Sequence, residues 1–91
     1  MRMKKIKPSE LWSLDDTLAQ FILPRLIAFR KMKRTGIPMR FKSMKVWNNE
    51  IDKMIYAFDK IVNKNGYDTF ASSKVKKGLK SFSENFGALW D

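Results

Sequence analysis

The sequence predicts an all-α fold, a compact three-helix array with a basic N-terminal arm, and three observations carry that prediction. Apolar residues recur at helical spacing in three separate segments. Two stop signals, Thr35-Gly36-Ile37-Pro38 and Asn65-Gly66, fall between those segments. No stretch alternates apolar and polar residues as a half-buried strand does. The chain therefore divides into a basic arm over 1–12 and a single helical domain over 13–91. At 10.7 kDa it would bury about 65% of its extended surface, enough for one small core.

The first helix is expected at about 14–34. Ser13 offers a hydroxyl N-cap with Asp16 three residues on, and Asp15 and Asp16 place negative charge in the first turn. Leu14, Leu18, Phe21, Ile22, Phe29 and Met32 form its stripe. Pro24 lacks the N–H for the carbonyl of Gln20, so the helix should kink near 20–24 or divide into two, freeing carbonyls there. The second helix, about 44–64, follows Ser43 as cap. It carries the cleanest stripe, Trp47, Ile51, Met54, Ile55, Phe58, Ile61 and Val62. The third, about 69–89, aligns Ala71, Val75, Leu79, Phe82, Phe86 and Leu89, with Trp90 alongside. Gly78 on that stripe points to close packing, since Gly costs a helix about 1 kcal/mol against Ala. Phe21, Phe29, Trp47, Phe58, Phe82 and Phe86 are read as core.

Composition favours a binder over an enzyme. The chain has 19 Lys and Arg against 9 Asp and Glu, a net charge of +10, and neither Cys nor His. Those absences remove thiolate chemistry, disulfides and the usual neutral-pH base. The carboxylates Asp15/Asp16 and Glu50/Asp52 do not converge, no metal or cofactor motif is present, and no enzyme is expected. The longest apolar run, Phe21 to Pro24, meets Arg25 far short of the ~20 residues a membrane span needs. A soluble cytoplasmic protein that does not engage membranes is the expectation.

The positive charge is local. Residues 25–45 carry +8, and no acid occurs from Thr17 to Asn49, so Arg25, Arg30, Arg34, Arg40 and Lys42 mark an anion-facing region. Arg25 falls within the apolar stripe of the first helix, where it needs an acid such as Asp52 or Asp59, free carbonyls or a ligand, unless it snorkels outward. Trp12, Phe41, Tyr56 and Tyr67 lie off the stripes. Trp12, Phe41 and Tyr56 are the candidates to stack on a base beside those cations.

The order Trp12, Asp15, Thr17, Ala19, Phe21-Ile22, Pro24 and Leu26 resembles a signature of small tailed-phage and prophage proteins. Gly36-Ile37-Pro38, Trp47, Glu50-Ile51-Asp52-Lys53-Met54-Ile55 and Leu89-Trp90-Asp91 continue it over nearly the whole chain. Residues 1–7 and the lysine-rich loop 39–45 depart from the pattern. The resemblance implies a phage origin and no particular chemistry. Small phage proteins of this kind resemble counter-defence factors, some of which sequester signalling nucleotides as homo-oligomers.

The function expected from the sequence is a non-enzymatic phage protein that binds a phosphate-bearing nucleotide, sequestering a host immune signal. An accessory DNA- or RNA-binding role and inhibition of a host protein are the alternatives. A homo-oligomer is favoured because Trp12, Trp90 and the apolar residues of Phe21–Phe29 exceed what one helix seam can cover.

Overall fold

The most strongly patterned segment forms the centre of the molecule. In a computed structural model, which describes residues 5–64 and 67–90, helix α2 spans Met44–Lys64, as the stripe predicts. Ser43 accepts a hydrogen bond from the Val46 amide at 3.3 Å, so its hydroxyl caps the helix. Spacings of four and three residues put Trp47, Ile51, Met54, Phe58 and Ile61 on one face, and all are buried. The Asn65-Gly66 cap lies outside the described residues.

Helix α1, Leu14–Lys31, is three residues shorter than expected, because Met32 turns to an extended conformation while its amide still reaches the Ala28 carbonyl. The helix runs on through Pro24 rather than dividing into two. Ser13 takes the N-cap place, but its hydroxyl makes no capping bond. At φ 51° it is left-handed, whereas side-chain capping uses the extended region. Asp16 accepts instead from Gln20 Nε2 at 2.6 Å. Before the helix, Pro8–Leu11 form a 3₁₀ turn, and residues 5–13 are exposed throughout.

The core face of α1 is also displaced from the expected stripe. Ala19 and Leu26 are buried and Ile22, Leu23 and Phe29 pack beside them, while Leu14, Leu18, Phe21 and Met32 are exposed. The reason is the arrangement of layers. Helix α4, Ser73–Glu84, packs on a different flank of α2, and among the described residues it makes no close backbone approach to α1. One face of α1 therefore meets a partner, and its second apolar face does not.

The predicted third helix is broken into three pieces: α3 over Tyr67–Ala71, α4 over Ser73–Glu84, and a 3₁₀ turn over Phe86–Ala88. Ser72 is extended, and its hydroxyl restarts the helix by accepting from the Val75 amide. Asn85, at φ −110° and ψ 11°, ends it. The register of burial changes with these breaks. Val75 is buried and Leu79 and Phe82 are half-buried, but Ala71 and Phe86 are exposed, which corrects the reading of Phe86 as core. Gly78, Ser81 and Asn85 are buried in their place. Gly78 is the point of closest approach: a Cβ there would meet the Lys53 carbonyl oxygen and lie 2.6 Å from the Ala57 Cβ.

A slab of 43 × 37 × 20 Å results, with a radius of gyration of 14.5 Å, where a compact chain of this length would have about 12 Å.

Candidate anion-binding site

The arginines singled out in the sequence are largely committed to the fold. Arg30 Nε donates to Asp52 Oδ1 at 2.9 Å and ties α1 to α2. Arg34 Nη2 donates to Asn48 Oδ1 and to the Arg30 carbonyl at 3.2 Å, with its guanidinium 5.2 Å from the Phe29 ring centre. Arg40 Nη2 donates to Asn85 Oδ1 and to the Glu84 carbonyl at 3.1 Å, closing the 32–43 loop onto the end of α4. Arg30 and Arg34 thus engage the α1 flank of α2 and Arg40 the α4 side, so these three do not form one cradle.

Arg25 is exposed. Its guanidinium lies 3.6 Å from the centre of the Phe21 ring, and Nη1 donates to the Phe21 carbonyl at 2.9 Å. That carbonyl is not the Gln20 carbonyl that Pro24 leaves without a donor; the arginine folds back over its own helix and snorkels outward. Asp52, considered as its ion-pair partner, serves Arg30. Phe41 stacks on Trp47, with ring centres 5.4 Å apart and 17° between planes, and is half-buried. Trp12 is 76% exposed, and Lys42 is exposed.

Tyr56 is the predicted site residue that the fold surrounds with cations. Between α2 and the first turns of α4 opens a cleft of ≈ 440 Å³ lined by Lys53, Tyr56, Ser73, Lys74 and Lys77. The Lys74 ammonium lies 4.2 Å and that of Lys60 5.4 Å from the Tyr56 ring centre. No carboxylate lines the cleft. The construction follows from the sequence: Lys53, Tyr56 and Lys60 share a face of α2, and Lys74 and Lys77 are one turn apart on α4. Gly78 lets the two backbones come close enough for both sets to meet over one ring. A second, smaller cleft shares Tyr56 and adds Asp68, Thr69 and Ser72.

Sequence reasoning missed these lysines because it summed charge along the chain. Residues 46–68 carry −1 and 69–91 only +2, yet those totals combine acids and bases that occupy different helix faces. Helical spacing of 53, 56, 60 and of 74, 77 was the signal available.

Next to the cleft, the polar contact of α2 with α4 holds Glu50. Ser81 Oγ donates to its Oε1 at 2.8 Å and Lys53 Nζ to its Oε2 at 2.7 Å. Asn85 Nδ2, buried, donates to the Ser81 carbonyl at 2.9 Å. Burial alone would raise the Glu50 pKa. The Lys53 and Ser81 hydrogen bonds, with the Lys53 and Arg40 charges, outweigh it and hold the carboxyl below its ordinary 4.5.

Among the described residues no group of three or more Asp or Glu is placed to hold a metal ion, and no helix is long and apolar enough to cross a membrane. No protein-family model, no curated protein and no solved structure matches the chain.

Proposed function

We propose that the protein binds a phosphate-bearing nucleotide in the cleft between α2 and α4, without turning it over. One observation carries the reading: Lys74 and Lys77 line a single cleft around Tyr56 together with Lys53, whose ammonium is shared with Glu50, and no carboxylate is among the lining residues. Lysine ammonium groups are point charges suited to phosphate oxygens. The positive end of the α4 dipole lies at Ser73 and Lys74 and adds to their field. The cleft's volume falls within the range of small-molecule sites, about 300–1,000 Å³. Because ammonium groups already lie over the Tyr56 ring, the phenol acts here as a hydrogen-bond donor rather than as a stacking face.

Arg25, Arg30, Arg34, Arg40 and Lys42 then act at a distance, raising the local concentration of anions. Similarity to small tailed-phage proteins adds a role for such binding, sequestration of a host signalling nucleotide. A nucleic-acid reading is favoured by Lys76 and Lys80, which are exposed on α4 and continue the charge beyond the cleft.

Calorimetry at low salt tests the reading with cyclic di- and trinucleotides, ATP and a short oligonucleotide. Binding of a small nucleotide that weakens at least tenfold in Lys74→Ala/Lys77→Ala, with the circular dichroism unchanged, is the expected result. No heat from any small nucleotide overturns it. Binding of the oligonucleotide alone, with a steep loss on adding salt, assigns the surface to a polymer.

A further inference from the structure

The outward face of α1 carries a pattern that the fold itself does not use. Leu14, Leu18, Phe21, Arg25, Ala28 and Met32 are spaced alternately by four and three residues, the heptad spacing that keeps one seam of a helix against a partner helix. All six are exposed, the four large apolar ones between 43% for Met32 and 58% for Phe21. Beside the seam, Phe21, Leu26 and Phe29 face Phe82 and Leu89 across an apolar groove of ≈ 260 Å³.

We propose that a second copy of this chain covers this face, α1 packing antiparallel on α1 across a two-fold axis. Two arguments select a second copy. The first is area. The chain exposes 7141 Å², whereas a folded monomer of its mass exposes about 5,500 Å². Residues 5–13, Met39, Phe86 and Trp90 contribute to the excess along with the α1 face, and the whole of it is about twice the ~800 Å² that each partner loses in a standard interface. The second is charge. Helix α1 carries Asp15 and Asp16 in its first turn and Lys31 in its last, where Arg30 is already held by Asp52, so opposite charges come to the same level when two copies run in opposite directions.

Arg25 decides the direction. In a parallel pair the two Arg25 guanidinium groups would sit at the same level of the seam and repel. In an antiparallel pair whose axis is level with Leu23, Phe21 of each copy meets Arg25 of the other, Leu18 meets Ala28 and Leu14 meets Met32. The first of these contacts is the cation–π pairing that Arg25 already makes with Phe21 of its own helix.

Two chains of +10 each also repel as whole bodies. Self-association should therefore tighten as the Debye length falls from about 30 Å to about 10 Å, the opposite of what salt does to an anion bound in the lysine cleft. This separates the proposal from the nucleotide reading, on which it does not rest.

Sedimentation equilibrium of the ligand-free chain is the first test. A species of twice 10.7 kDa that becomes monomeric in Phe21→Glu, with helix content unchanged, is expected. A monomer at every salt and micromolar concentration, or a Phe21→Glu variant still dimeric, overturns the proposal. Orientation is read by oxidation, which is clean in a chain without cysteine. Leu14→Cys/Met32→Cys should give a disulfide-linked dimer and Leu14→Cys alone should not. The two positions are about 27 Å apart within one helix, too far to join in one copy. A covalent dimer from Leu14→Cys alone would mean a parallel pair and overturn the arrangement.

Discussion

The two flanks of α2 are built on different principles. On the α4 side the contact is made by backbone and by polar groups: Gly78 lies against the Lys53 carbonyl, and buried Ser81 and Asn85 link to Glu50 and Arg40. On the α1 side apolar side chains, Ala19 and Leu26 with Ile22, Leu23 and Phe29, meet the α2 stripe, and the Arg30–Asp52 pair joins them at the rim. A backbone contact admits one geometry and fixes the position of α4 closely. Side-chain packing tolerates more adjustment. The flank with fixed geometry is also the one on which lysines from two helices converge around Tyr56.

Gly78→Ala should expose this difference most strongly. Alanine ordinarily gains about 1 kcal/mol over glycine within a helix. Here the added methyl would meet a backbone carbonyl that cannot rotate away, and overpacking of this kind costs about 1–3 kcal/mol or more. A net loss of about 2 kcal/mol in urea unfolding is expected. Gly87→Ala is the control, because its Cβ would have nothing within 4 Å, and it should be neutral or slightly stabilising. If Gly78→Ala proves as stable as the parent, the α4 flank is not held by backbone contact.

A smaller effect should come from Glu50. Its pKa lies lower in the folded chain than in the unfolded one, so the unfolded state binds the proton more tightly. The stability it contributes is present in full above the ordinary value of 4.5. It is lost as pH falls from there through the folded pKa. Unfolding followed between neutral pH and acid should show this slope in the parent and a shallower one in Glu50→Gln. Equal slopes would mean that other carboxylates account for the acid sensitivity.

The same contrast decides what could be read in the sequence. Helix α2 was legible to the residue because partners on both flanks bury a wide apolar stripe, and apolar periodicity reports that kind of face. Helix α4 was legible only in part. Its buried face includes Gly78, Ser81 and Asn85, small or polar residues that an apolar pattern passes over, while Phe86 falls past the break at Asn85. In α1 the pattern held two apolar faces, and nothing local to the helix says which one α2 will take. The candidate site followed suit: Tyr56 was named, but its lysines were hidden in segments of small net charge. The arginines of 25–45, conspicuous as a run, are largely engaged in contacts of the fold: Arg30 between helices, Arg40 across a loop and Arg25 on its own helix.

The smallest effect belongs to the polar contact of the α1 flank. Arg30 is 36% and Asp52 51% exposed in their side chains, so solvent and salt screen the pair. Exposed pairs of this type contribute about 0.2–1 kcal/mol in double-mutant cycles. Arg30→Ala and Asp52→Ala, alone and together, should therefore show a coupling within that range, shrinking as salt is added. If α1 rests on α2 through apolar packing, removing the pair leaves its docking intact, and helix content should not change in any of the three variants. A coupling of about 2 kcal/mol or more, persisting in high salt, would instead match a desolvated pair. It would make the α1 flank as dependent on polar contacts as the α4 flank, and the contrast between the two sides of α2 would fail.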